Sequence, residues 1–267
     1  MFKNLVTIIA ILYNFCFLHI FANEAIPYLV ASLDSKAKLQ SLAERFAPDS
    51  YLHGYAKCSK EGRNCLIERG SKALHDFQDA KAVDYAELYA DVKKECSDRD
   101  PCIADLFALS EAEFSRMPES VQKFSLDTIK ELSSGAMKDF STIDQAAVHI
   151  LKQWGKVPKS EQQKIADVFP KTAFLFKGHH LQDLTQKALS VAQGDLLDGI
   201  ALLEAIDEIW NYAKKTNPQP DHADFKDFET VLTEDFPELK QKILKPIKDT
   251  YEKYFGDLEF LISLEKK

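Results

Sequence analysis

Apolar residues recur along most of the chain at the i, i+3, i+4, i+7 spacing that gathers them on one face of a helix. Leu39, Leu42, Ala43 and Phe46 form the first such face, and Tyr85, Leu88, Tyr89 and Val92 repeat it. Ile103, Leu106, Phe107, Phe114 and Met117 follow Pro101. Pro118 suits the first turn of the next helix, which carries Val121, Phe124, Ile129 and Leu132 and stops at Gly135. Ser141 and Asp144 make a capping-box-like start for the stripe Ile143, Ala147, Ile150, Leu151 and Trp154, closed by Gly155 and Pro158. Ile165, Val168 and Phe169 predict a short helix halted before Pro170, and Leu181, Leu184, Ala188 and Leu189 another after Gly178. A long apolar segment from Leu196 to Trp210 precedes a loop from Lys215 to His222 with Pro218 and Pro220. The tail predicts two helices. Phe225, Phe228, Val231 and Leu232 mark one; Leu239, Ile243, Ile247, Tyr251 and Tyr254 mark the other, kinked at Pro246 and extended by Leu258 to Leu264.

Residues 51–65, with Gly54, Gly62 and two cysteines, break the rhythm and read as a loop. No run alternates with period two, so the pattern predicts an all-α fold, an irregular compact domain of many short amphipathic helices. No strict repeat stands out. Pro118–Lys123 and Pro237–Lys242 share only a Pro-Glu-x-x-Gln-Lys outline.

The first residues change the chemical setting. Lys3 is followed by an apolar run from Leu5 to Phe21 and by Ala22, the layout of a secretory signal cut after Ala22. Export is the expectation. Residues 1–22 hold Lys3 and Cys16, so the mature charge is -8 less one, or -9, and four cysteines remain: Cys58, Cys65, Cys96 and Cys102. An even set in an exported chain predicts two disulfides. The short spacings 58–65 and 96–102 suggest local loops, and bridges between the two segments are equally lawful. The expected division is a signal at 1–22, an N-terminal segment with the first cysteine pair at 23–70, a helical binding region at 71–190 and a C-terminal helical extension at 191–267.

Composition narrows the functions. Nine Gly in 267 residues is about half the usual ~7% share, which disfavours hairpin-rich folds and phosphate-cradling loops. A net charge of -8 and a pI near 5.4 argue against nucleic acid as a partner. Gly-x-Ser-x-Gly, His-Glu-x-x-His, P-loop and Gly-x-Gly-x-x-Gly signatures are all missing from the sequence. His179 and His180 are adjacent, so their side chains diverge by about 100° on a helix and chelate poorly. Asp195 and Asp198 suit a helix start. The expectation is a non-enzymatic protein with no cofactor and no metal.

Aromatic residues are plentiful, with 18 Phe, 9 Tyr and 2 Trp, and many fall on the inward stripes. Irregular short helices can leave an internal apolar cavity, which stays dry and accepts hydrophobic ligands. Four stretches bear on this: Asp84-Tyr-Ala-Glu-Leu-Tyr-Ala-Asp-Val-Lys-Lys-Glu95, Phe114-Ser-Arg-Met-Pro-Glu-Ser-Val-Gln-Lys-Phe124, Ala146-Ala-Val-His-Ile-Leu151 and Gln163-Lys-Ile-Ala-Asp-Val-Phe-Pro-Lys-Thr172. With the helix after Phe169-Pro170, they resemble the nematode fatty-acid- and retinol-binding (FAR) family over Asp84 to Leu189.

That resemblance implies a secreted all-α carrier that encloses a long-chain fatty acid or retinoid in an apolar cavity, with transient membrane or host-protein contact. By resemblance the cavity is lined by Leu88, Val92, Phe114, Phe124, Ile150, Leu151, Ile165 and Phe169; the helix faces add Trp154, Phe174, Leu181 and Leu184. Lys152 and Lys177 are candidates for the ligand's carboxylate. The cysteine segments, the chain before Gly70 and the tail from Val191 fall outside the resemblance. The stretch from Met117 to Lys164 also resembles the SXP/RAL-2-like secreted proteins of nematodes. Those would imply an effector with a filled core that works through protein contacts.

Overall fold

The computed structural model describes residues 35–78, 84–133, 149–150, 152–177, 180–192, 208, 211–212, 215–216 and 222–249. Among them every regular element is helical, so the fold is all-α. No helix of these residues is long and apolar enough to cross a membrane. The proposed signal, residues 134–148 and most of the segment 193–221 lie outside the described set.

The helices are α1 (Lys36–Phe46), α2 (Asp49–Lys57), α3 (Lys60–Gln78), α4 (Tyr85–Arg99), α5 (Pro101–Ser115), α6 (Glu119–Ser133), α7 (Lys159–Val168), α8 (Ala173–Lys177), α9 (His180–Ala192) and α10 (Lys226–Leu239). Polar residues set the starts. Ser35 accepts from the Lys38 amide at α1, Asp84 from Ala86 and Glu87 at α4, and Asp100 from Cys102 at α5.

Three apolar cores result. One unites α2 to α6 around Tyr89, Cys96, Ile103, Leu106 and Phe107. A second packs α10, through Phe228 and Leu232, onto Leu52 of α2 and Leu39 and Ala43 of α1. The third lies among α6, α7, α8 and α9.

The stretch 51–65 is not a loop. It belongs to α2 and α3, with Gly54 and Gly62 inside them. Glycine weakens a helix by about 1 kcal/mol relative to alanine. Here it permits close crossing of neighbouring helices: a Cβ on Gly54 would sit 2.7 Å from Leu106 Cδ2, and one on Gly62 2.7 Å from both Cβ and Oδ2 of Asp100. The cysteines likewise do not close local loops. Cys58 pairs with Cys102 and Cys65 with Cys96, across 44 and 31 residues. Both bonds join the α2–α3 unit to the α4–α5 unit. Helices hold Cys65 and Cys96 on their facing sides, and this puts their Cα atoms 5.6 Å apart.

The C-terminal pattern also resolves differently. Instead of two helices, α10 runs through a π turn at Lys240–Leu244 and on to residue 249. Pro246 has no N–H to offer the carbonyl of Lys242 four residues earlier, so the helix is disturbed in the preceding turn. Ser71 of α3 donates to that carbonyl at 3.0 Å. Tyr251, Tyr254 and Leu258 to Leu264 lie outside the described residues.

A repeat is present, at a place the sequence outline did not indicate. Phe114-Ser-Arg-Met-Pro-Glu-Ser-Val-Gln122 and Trp154-Gly-Lys-Val-Pro-Lys-Ser-Glu-Gln162 correspond with a constant offset of 40. In both, the residue before Pro donates to the aromatic residue's carbonyl at 3.0 Å. The amides three and four residues after Pro donate back to the Pro carbonyl, at 3.0 Å each in the first copy and at 2.8 and 3.0 Å in the second. The glutamine then reaches back over the turn: Gln122 Nε2 donates to the Met117 carbonyl at 2.7 Å, Gln162 Nε2 to the Val157 carbonyl at 2.9 Å. Ser120 and Glu161 touch across the two starts. Pro237, by contrast, lies inside α10 and starts nothing.

Candidate functional site

The third core is the candidate site, because it collects the largest share of the predicted lining. Phe124, Trp154, Ile165 and Leu184 are buried in it with Val121, Val157, Ala166 and Phe176. Ile150, Phe169 and Phe174 pack on it half-buried. Phe124 and Trp154 meet at 5.1 Å between ring centroids, tilted by 59°. On the outer side Phe174 meets the exposed Tyr212 at 5.9 Å.

The arrangement follows from the repeat. Each Pro-led connector ends one helix at an aromatic and starts the next after the proline, and the two helices started in this way, α6 and α7, pack on each other with Trp154 in the same core. Lys159 adds a tie from α7 to α9 by donating to Gln182 at 3.1 Å.

Other predicted positions lie elsewhere. Val92 is buried in the disulfide-linked core and Leu88 packs against it. Phe114 is 2% exposed near the end of α5. Lys152 is exposed, and Leu151 and the side chains of Leu181 and Lys177 lie outside the described residues.

Two recesses among the described residues stand out, and neither is an enclosed apolar cavity. One, of about 390 Å³, is an open depression over Ser160, Gln163, Lys164 and Asp167 of α7. The other, of about 310 Å³, is a cleft between α2 and α5 lined by Ser50, His53, Gly54, Lys57, Cys102, Asp105, Leu106 and Leu109.

The strongest electrostatic feature escaped the sequence pattern. Arg63 is buried and donates to Asp235 through Nε at 2.6 Å, to Glu234 at 2.9 Å and to the Cys58 carbonyl at 2.6 Å. The Tyr55 hydroxyl donates to Asp235 at 2.8 Å, and its pKa is driven above the usual tyrosine range by burial and then by that carboxylate. Burial opposes the charge on Arg63, yet Asp235 outweighs it and raises the guanidinium's pKa. A signal was available: Asp235 falls at i+7 on the stripe of Phe228 and Leu232, where a lone charge marks a buried pair.

Two more carboxylates are perturbed. Burial pushes the Glu113 carboxyl up, against hydrogen bonds from Tyr51 and Ser50 and the charge of Arg116. Burial also opposes ionisation of Asp100, but the amides of Ser59 and Cys102 prevail and hold its pKa down. Asp100 lies within 4.8 Å of the Cys58 and Cys102 sulfurs. Those sulfurs are spent in a disulfide, so the trio offers a metal no thiolate.

No family model, curated protein or solved structure matches this chain.

Proposed function

We propose that the protein is a secreted, non-enzymatic carrier that takes a long-chain fatty acid or a retinoid against the apolar cluster of α6 to α9. One observation carries this reading: seven of the twelve apolar positions picked from sequence converge there, around the Phe124–Trp154 pair. Short helices joined by turns can part more readily than long bundled ones, and the half-buried Phe169, Phe174 and Leu175 form the outer wall. Each methylene of an acyl chain that leaves water contributes about 0.8 kcal/mol. The exposed Lys152, two residues before Trp154, is the proposed partner of the ligand's carboxylate.

The open form of both recesses favours a second reading, an effector with a filled core that binds another protein through its surface. A displacement titration separates the two. On the carrier reading a fluorescent fatty-acid analogue shifts to the blue on binding and is released by oleate or retinol. Native mass spectrometry then finds a co-purifying lipid. No shift at micromolar analogue, together with a lipid-free mass, rejects the carrier and leaves the surface-acting molecule.

A further inference from the structure

Both disulfides join the same pair of helical units, but they differ in access. Cys65 and Cys96 are 1% and 0% exposed, and Cys58 is 3% exposed. Cys102 is half-buried and lines the 310 Å³ cleft between α2 and α5. The positive Lys57 and the ring of His53 line the same cleft. On the other side stand the carboxylates of Asp105, in the cleft wall, and Asp100, beside both sulfurs. An anionic nucleophile thus meets a cation on the α2 side and repulsion on the α5 side.

We propose that the Cys58–Cys102 bond is a thiol-exchange site, entered at the Cys102 sulfur through this cleft by a low-molecular-weight thiol. The thiol loses its proton to solvent, and the thiolate forms a new S–S bond to Cys102. The old bond breaks, and Cys58 leaves with the electron pair and takes a proton from water. A second thiol molecule attacks the mixed disulfide at its own sulfur. This frees Cys102 as a thiol and yields the oxidised, dimeric form of the reagent, so two electrons pass from the two thiols to the protein bond.

Opening this bond is a local event. Asp100 still accepts from the amides of Ser59 at 2.6 Å and Cys102 at 3.0 Å, which ties the starts of α3 and α5. Arg63 still donates to the Cys58 carbonyl. The close crossings at Gly54 and Gly62 and the buried Cys65–Cys96 bond remain in place. The site is independent of lipid binding, since the apolar cluster of α6 to α9 shares no residue with the cleft.

The test uses the full oxidised chain, treated with reduced glutathione, quenched with N-ethylmaleimide and mapped by peptide mass spectrometry. Early samples should carry glutathione on Cys102 and maleimide on Cys58, with Cys65–Cys96 intact. The accessible bond should exchange at least about tenfold faster than the buried one, which opens only on unfolding. Helical circular dichroism should persist while it opens. An adduct on Cys58 first, equal rates at the two bonds, or loss of helix in step with opening overturns the proposal. Lys57→Glu, on an exposed residue, should slow adduct formation severalfold with the helix signal unchanged. An unaltered rate in that variant rejects entry through the cleft.

Discussion

At Gly62 the absence of one carbon decides how closely α3 can approach the start of α5. An added Cβ would lie 2.7 Å from Asp100 Cβ, an atom fixed to the backbone, and 3.0 Å from Ile103 Cγ1. At Gly54 the nearest atom is the end of the Leu106 side chain, which can turn away. Gly62→Ala should therefore destabilise the protein by about 1–2 kcal/mol, because overpacking outweighs the helical gain of alanine. Gly54→Ala should be close to neutral. Urea denaturation of the two variants checks the order, and equal midpoints would show that neither crossing is tight. Asp100 also has a measurable role of its own. Its folded pKa lies below the ordinary carboxylate value, so its contribution is present above pH ~4 and is lost as pH falls through the folded value. Melting temperature followed towards low pH should drop less steeply in Asp100→Asn than in the native protein. Parallel curves would remove Asp100 from the acid response.

Among the elements, the duplicated connector sets where α6 and α7 begin. Proline fixes the entry backbone but offers no side-chain cap, and the glutamine four residues on covers the carbonyl before it. Gln122→Ala and Gln162→Ala should each lower stability by about 1 kcal/mol, the size of an ordinary net hydrogen bond. Chemical denaturation gives both values. A loss at one position and none at the other would mean that the two turns are alike in outline but not in energetics. The π turn after α10 follows the same economy of backbone groups: a proline removes a donor, and Ser71 on a neighbouring helix supplies one.

Across the whole molecule, one buried cluster links the disulfide-bonded units to the C-terminal helix, 172 residues away in sequence. The side chains of Arg63 and Asp235 are 4% and 0% exposed. Asp235→Ala removes the buried carboxylate from Arg63, which keeps the Cys58 carbonyl and the half-exposed Glu234, and should cost about 3 kcal/mol, whereas Asp127→Ala, which loses an exposed i,i+4 partner of Lys123, should cost under ~0.5 kcal/mol. Replacing both partners by apolar residues, Arg63→Met with Asp235→Leu, should recover most of the loss. Thermal unfolding of the three variants decides this. If Asp235→Ala melts like Asp127→Ala, α10 is held by apolar packing alone.

Apolar spacing by itself determined the helical class, and proline placement several helix ends, because period and proline act within a few residues. Pro101, Pro118, Pro158 and Pro170 each stand where a helix starts or stops. The same stripes named seven residues of the α6 to α9 cluster. Only the tertiary structure decided the rest. Gly54 and Gly62 look like loop residues until a neighbouring helix needs their space. Four cysteines stay degenerate until helices bring Cys58 to Cys102 and Cys65 to Cys96. Asp235 stands on the apolar stripe of α10, but nothing local names Arg63 as its partner until the fold buries the two together. These features depend on which faces meet across long sequence separations, and a local pattern carries no information about that.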